Sequence, residues 1–367
     1  MPSVRLGAAE SITRALNLGD QPTVLVRTVT GLERLAAAEL AAASHRVIDL
    51  SKRQLIVEPT SATIITTPPR LADDLFVIQA AVADPGHTRP ALAAAVAAVQ
   101  RQLTACPPGR FAVSASFQGR RNYNRFDVED LIGEALRRLS GSRYHSRRTG
   151  TAPPDERVDW RVVLDGTTMW VGIRPFDVPL HRREWRRQTV TGSLHPPVAA
   201  AMARLARIRT GDRVLDPFCG AGTLLLEAHA LMPGATYLGI DKATIAAARA
   251  NTPEHAPVTW SVGDARHLRG RVDRIVTNPP WDIRLGIGDL TPYLNQWRQV
   301  VRPDGLVVAI LNHEQGDRMI GDAAWRVLDV YDVAVAGQHP RILVAEPANS
   351  GRSTPGAAAH KATVARQ

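Results

Sequence analysis

The chain has 367 residues, enough for two or three domains, and its 44% hydrophobic and 22% charged content suits a globular protein with a sizeable core. A net charge of +10 points towards an anionic partner. The basicity is nearly all arginine, with lysine only at Lys52, Lys242 and Lys361, a bias that a GC-rich genome also produces. Two cysteines, Cys106 and Cys219, exclude a cysteine zinc site and a disulfide framework, so no metal is expected. The lack of a secretory leader or a long apolar run predicts a soluble chain in the reducing cytoplasm.

In chain order, residues 23–29 alternate as a strand and residues 31–43 read as an amphipathic helix with Leu32, Leu35, Ala36 and Leu40 on one face. A strand pair follows over 46–57, giving an α+β unit of the ferredoxin-like kind over residues 1–65. A second block, 66–178, holds helices at 91–103 and 127–139, the latter with Asp127 as a plausible cap. Its strands are 111–117, 158–164 and 168–173, the last two joined by an Asp165-Gly166 hairpin turn. An arginine-rich linker spans 179–192. From 193 to 346 strands and helices alternate as in a doubly wound α/β sheet. The tail, 347–367, is rich in Ala, Ser, Gly and Pro and is expected to be disordered.

The segment from Arg213 to Glu227, RVLDPFCGAGTLLLE, is a short apolar strand ending in an acid, a two-glycine turn and a helix. Taken alone, this pattern also fits dinucleotide and phosphate binders, or a tight turn without a ligand. Three further strands end alike, in Tyr237-Leu-Gly-Ile-Asp241, Val258-Thr-Trp-Ser-Val-Gly-Asp264-Ala265 and Arg274-Ile-Val-Thr-Asn278-Pro-Pro-Trp281. Any one of these acids could be a helix cap. Four polar strand ends in succession place a row of polar groups along one sheet edge, where open α/β sheets bind ligands.

These segments (DPFCGAGT, GID, GDA and NPPW) resemble the ordered motifs of class I S-adenosylmethionine-dependent methyltransferases of the Asn-Pro-Pro-aromatic branch. The resemblance covers residues 190–346 and implies a Rossmann-like seven-stranded domain closed by an antiparallel hairpin. It implies that Asp216, Phe218 and the loop Gly220, Ala221, Gly222 and Thr223 hold the methionine moiety. Asp241 would take the ribose, Asp264 and Ala265 the adenine edge. The corner Asn278, Pro279, Pro280 and Trp281 would be catalytic, with Asn278 also bordering the cofactor. An exocyclic base amine is conjugated with its ring and poorly nucleophilic, so it needs acceptors that aim its lone pair at the methyl donor. The Asn278 side-chain oxygen and the Pro279 carbonyl can supply two. The prolines stiffen the turn, and Trp281 offers a face for an extruded base. The sequence departs from the family in having Trp281 where Tyr or Phe is commoner and Asp282 where a small residue is expected. For Arg284 a solvated surface role competes with, and is favoured over, contact with a phosphate.

The first 190 residues resemble the ferredoxin-like plus THUMP arrangement of tRNA-modifying enzymes. Phe111 to Phe117, Asp127 to Leu136, Val162-Val-Leu-Asp-Gly and Trp170-Val-Gly-Ile173 carry that likeness. The resemblance implies a tRNA guanine-N2 methyltransferase with structured RNA as partner. Arg120, Arg121, Arg147, Arg148, Arg182 and Arg183 are the candidate RNA contacts, with Tyr123, Tyr144 and Trp185 interleaved. The competing readings are N6-adenine methylation, protein glutamine methylation and an inactive RNA-binding homologue.

Overall fold

The computed structural model describes residues 8–17, 19–103, 107–281, 287–335 and 337–348. Cys106, Asp282, Arg284 and positions 349–367 of the expected tail lie outside the described residues. The first elements are α1 (Ala8–Asn17), β1 (Val24–Arg27), α2 (Glu33–Ala42), β2 (Arg46–Ser51), β3 (Gln54–Glu58), α3 (Thr63–Thr66) and β4 (Asp74–Ala83). Then come α4 (Arg89–Gln102), β5 (Arg110–Phe117), α5 (Arg125–Ser140), β6 (Arg143–His145), β7 (Val158–Leu164) and β8 (Thr168–Ile173).

One eight-stranded sheet spans both N-terminal blocks, in the order β2-β3-β1-β4-β8-β7-β5-β6. The ferredoxin-like strand order β2-β3-β1-β4 is completed only by β4, which lies beyond the expected boundary at residue 65. β4 pairs antiparallel with β1 on one side and β8 on the other, so the boundary is a continuous sheet. Its sequence, DLFVIQAAVA, carries no turn residue to interrupt a strand paired on both sides. Helix α5 is capped by Asn124, whose side chain accepts the Phe126 and Asp127 N–H groups at 2.9 and 3.1 Å. Asp127, expected as the cap, returns the bond to the Asn124 N–H at 2.9 Å and so closes a capping box.

The remaining helices are α6 (Pro196–Leu205), α7 (Thr223–Leu231), α8 (Ala246–Asn251), α9 (Thr291–Val300) and α10 (His313–Gly321). They alternate with β9 (Arg213–Asp216), β10 (Thr236–Asp241), β11 (Val258–Val262), β12 (Val272–Thr277), β13 (Val301–Leu311), β14 (Trp325–Asp332) and β15 (Arg341–Pro347). Their sheet runs β11-β10-β9-β12-β13-β15-β14, parallel except at β15, which is antiparallel to both neighbours. This is the expected seven-stranded domain with its closing hairpin. The ordered chain continues past the expected start of the tail: β15 reaches Pro347, and the Ala348 N–H donates to Ala324 O at 2.9 Å.

The two halves share one hydrophobic core. Val24, Val26, Leu40, Leu55 and Val57 of the first unit belong to the same buried cluster as Val198, Met202, Leu224 and Leu225 of α6 and α7. Helices α4 and α5 pack on β5, β7 and β8 around a separate core centred on Trp160 and Phe111. Gly31 marks a close backbone approach between the halves. It has φ +94°, and a Cβ there would lie 2.0 Å from the Asp332 carbonyl oxygen. Polar struts join the same halves: Glu227, fully buried in α7, accepts from Arg70 Nε and Arg183 Nε, each at 2.8 Å. The linker is therefore a packed strap, with Leu180 1% exposed. Among the described residues no helix is long and apolar enough to cross a membrane.

Candidate active site

Strands β9, β10, β11 and β12 run parallel and adjacent, so Asp216, Asp241, Asp264 and Asn278 emerge along one edge of the sheet. They line a single cavity of about 1590 Å³ together with the Gly loop and Asn278-Pro279-Pro280-Trp281. Small-molecule sites are usually about 300–1,000 Å³, so there is room for a cofactor and a second, base-sized group.

The loop between β9 and α7 is wound tightly. The Gly222 N–H donates to Cys219 O at 2.7 Å, and Gly222 caps α7 in a left-handed conformation, φ +81°. A Cβ there would meet the Trp260 ring at 2.7 Å, so the position admits only glycine. No side chain caps α7, which leaves its first N–H groups directed at the cavity, a ready site for an anion. Thr223 Oγ1 is buried there without a hydrogen-bond partner.

Each carboxylate has its own surroundings. Asp216 is buried, accepts the Phe218 N–H at 3.0 Å, and is pushed up to about 7 by burial. The Asp241 oxygens accept the Gly220 and Ala243 N–H groups, both at 2.9 Å, which fixes the carboxylate against the loop. Asp264 is gripped by Arg266, whose Nη2 lies 2.7 Å from Oδ2, and is held far below the usual carboxylate range by that bond. Ala265 is buried behind it. Phe218 packs its ring against Tyr293, with centroids 5.3 Å apart.

At the fourth strand end, Asn278 Nδ2 donates to the Gly192 carbonyl at 3.1 Å. The amide is thereby turned so that Oδ1, buried and without a hydrogen-bond partner, is left as an acceptor. Around it the proline turn is tied down from α10. Gln315 Nε2 donates to Pro280 O at 2.9 Å, and Asn312 Nδ2 to Trp281 O at 3.0 Å. Trp281 Nε1 donates to Ile310 O at 3.0 Å, anchoring the half-buried indole to β13.

The six candidate RNA-binding arginines divide. Arg120, Arg147 and Arg182 are exposed. Arg121 is instead a structural residue, 3% exposed, bonded to Asp84 Oδ2 at 2.8 Å and to the Tyr123 hydroxyl at 2.9 Å. Arg183 is likewise consumed by the buried Glu227 strut. Arg148 binds Asp130 at 2.6 Å and Asp127 at 2.8 Å, keeping its side chain 46% exposed. Tyr123 is 4% exposed and donates to Gly86 O at 2.7 Å, and the half-buried Tyr144 donates to Asp130 at 2.9 Å, so both serve the fold. Acidic partners distant in sequence account for these departures.

Sequence reasoning missed four residues that hold the site. Gly192 orients Asn278. Asn312 and Gln315 brace the proline turn, and their Asn-x-x-Gln spacing ahead of α10 is a readable capping box. Asn251, 1% exposed, accepts the Arg187 and Gln188 N–H groups at 2.8 Å and donates to Ala221 O at 2.9 Å, lashing the strap to the Gly loop. Nothing local in the sequence signals that role.

The strand order and the cavity along the strand ends define a class I methyltransferase, the class whose methyl donor is S-adenosylmethionine. Residues 183–252 match the UPF0020 family model, described as RMKL-like, methyltransferase domain. A tRNA (guanine(6)-N2)-methyltransferase of Thermus thermophilus is 37% identical over 186 residues, 48% of this chain and 53% of that protein. A probable tRNA (guanine(10)-N2)-dimethyltransferase of Methanothermococcus thermolithotrophicus is 30% identical over 126 residues, 30% of this chain and 76% of that protein. The crystal structure of TrmN from Thermus thermophilus superposes with a TM-score of 0.74 at 27% identity, covering 89% of this chain and all of that one. The chain belongs to this methyltransferase family. It spans 53%, 29% and 32% of the length of three curated relatives.

Proposed function

We propose that the chain transfers a methyl group from S-adenosylmethionine to the exocyclic N2 of a guanosine in folded RNA, specifically tRNA in the cytoplasm. The observation that carries this reading is the set orientation of Asn278. Its Oδ1 is a desolvated acceptor in the same cavity as the polar ends of β9, β10 and β11.

When bound, the cofactor supplies an electrophilic methyl group. The residues present fit it. Asp241, rigid on two main-chain N–H groups, keeps lone pairs for the ribose hydroxyls. The open N-terminus of α7 suits a carboxylate, and buried Asp216 suits an ammonium. Asp264 and Ala265 border the adenine edge, and Phe218 flanks the methionine side. Asn278 Oδ1 and the Pro279 carbonyl accept from the two protons of the base amine and turn its lone pair towards the methyl carbon. They also stabilise the positive charge that grows on nitrogen, having been oriented in advance by Gly192, Asn312 and Gln315. Trp281 stacks on the extruded base. Arg120, Arg147 and Arg182, with the outer edge of Arg148, bind phosphates, and the eight-stranded half acts as a THUMP-like RNA platform.

The guanine and tRNA assignments lean on the names of the relatives above. Purified protein, labelled methyl donor and unmodified tRNA transcripts, followed by nucleoside digestion, test them. N2-methylguanosine is the expected product. Label in N6-methyladenosine would replace guanine with adenine, and label only in protein glutamine would overturn RNA as substrate.

A further inference from the structure

A second constellation lies outside the cavity, where the first unit, the strap and the methyltransferase half meet. Asp73 precedes β4, His181 sits on the strap, and His195 is the residue before α6. His195 Nε2 lies 2.6 Å from Asp73 Oδ1, and His181 Nδ1 lies 3.3 Å from the same oxygen. The imidazole centroids are 5.1 Å apart, and all three donor atoms fall within 4.8 Å of one another. An ordinary hydrogen bond explains the first contact. His181 Nδ1 also lies 3.1 Å from the Asp73 carbonyl oxygen, so an ion bound at Nδ1 would exchange that contact for a ligand bond.

We propose that Asp73, His181 and His195 form a binding site for a divalent transition-metal ion such as Zn²⁺. Ligand bonds of about 2.0–2.2 Å around a tetrahedral ion separate donor atoms by roughly 3.3 Å; the His181–Asp73 pair is already at 3.3 Å, and the 2.6 Å His195–Asp73 contact would lengthen on binding. Two imidazoles and one carboxylate are a donor set such ions favour over Mg²⁺ or Ca²⁺. The side chains are 22%, 33% and 28% exposed for Asp73, His181 and His195, which leaves a fourth position open to water.

The ligands are set for the task. Asp73 N–H donates to Arg27 O at 2.7 Å, and the His181 N–H donates to Asp73 O at 3.1 Å, so both backbones are fixed before any ion arrives. Burial raises Asp73, but His195 and His181 more than offset it and hold the carboxyl below its ordinary value. The ion would pin three segments at one point. Ser193 and Leu194, immediately before His195, line the cofactor cavity, so the pin steadies that wall. The site is independent of the RNA assignment.

The test is calorimetric titration of the full chain, stripped by a chelator, with Zn²⁺ alone. One ion per chain is expected, with Asp73→Asn, His181→Gln and His195→Gln each weakening it at least about tenfold, as loss of a metal ligand should. His181→Gln changes the most exposed of the three side chains, and circular dichroism checks that it folds. Zn²⁺ should also raise the thermal midpoint of the wild type and not of the variants. The chain holds eleven histidines, so the variant with all three changes measures adventitious binding. Wild-type affinity no greater than that background, or full affinity in His181→Gln and His195→Gln, overturns the proposal.

Discussion

Asn278 offers the cleanest separation of chemistry from architecture. It gives the fold one hydrogen bond, to Gly192 O, and presents its other end as an acceptor. Asn278→Ala should lower kcat by about 10²–10³, the usual effect of removing one preorganised polar group. Cofactor affinity and the thermal midpoint should stay near wild type; a large loss of either would make the residue structural. Asp241→Ala removes charge-assisted bonds worth about 1.5–3 kcal/mol each and also releases the Gly220 N–H. Calorimetry should show weakened cofactor binding, and an unchanged Kd would mean the ribose lies elsewhere. Asp216 adds a pH signature. Its carboxyl is pushed up to about 7 by burial, and a cationic ammonium beside it favours the ionised form. Cofactor affinity should therefore fall as pH drops below about 7, approaching tenfold per unit. The sign for the unliganded fold is opposite: this group's contribution to stability is fully present below the ordinary aspartate range and is lost as pH rises through about 7. Cofactor affinity that is flat between pH 6 and 8 would count against the assigned ammonium partner.

At the scale of elements, the arginines sort by the acids that folding brings to them. Arg120, Arg147 and Arg182 stand exposed on the α4–α5 side and the strap, whereas Arg121 and Arg183 are locked in buried ion pairs. Replacing the first three with glutamine should leave the thermal midpoint unchanged. The log–log salt slope of RNA binding should fall by roughly 0.7–0.9 for each lost phosphate contact. Arg121→Gln should do the reverse, lowering the midpoint with little change in slope. If the triple variant keeps the wild-type slope, the RNA path lies on another face.

Across the whole molecule, the shared core and the Glu227 strut make the first unit and the methyltransferase half one mechanical body. Glu227 has no exposed side-chain surface and serves Arg70 from one half and Arg183 from the strap. Glu227→Gln leaves two guanidinium groups without their counter-charge and should destabilise by about 3–5 kcal/mol, the range for breaking a buried ion pair. Denaturant unfolding followed by circular dichroism measures this directly. A loss below about 1 kcal/mol would show that the strut is dispensable and that apolar contacts alone join the halves. A rigid junction keeps the first unit at a constant distance from the catalytic corner, which under the proposed function would let RNA held by one half be measured against the other.

The sequence by itself determined the row of polar strand ends along one sheet edge. DPFCGAGT, GID, GDA and NPPW are local patterns in which each strand and its polar terminus are neighbours in the chain, so periodicity and spacing suffice to align them. The hairpin at Asp165-Gly166 and the helix α2 were legible for the same reason, whereas the closing β14–β15 pair followed from the family resemblance. Strand β4 was not legible, because its run DLFVIQAAVA lacks the regular apolar–polar alternation that marks a strand. Only the tertiary structure decided that one sheet joins the strands on either side of residue 65, and that Arg121 and Arg183 face acids 37 and 44 residues away. It also decided which way the Asn278 amide turns and brought Asp73 to His181 and His195. Each of these depends on partners distant in sequence, and such contacts exist only after the chain has closed on itself.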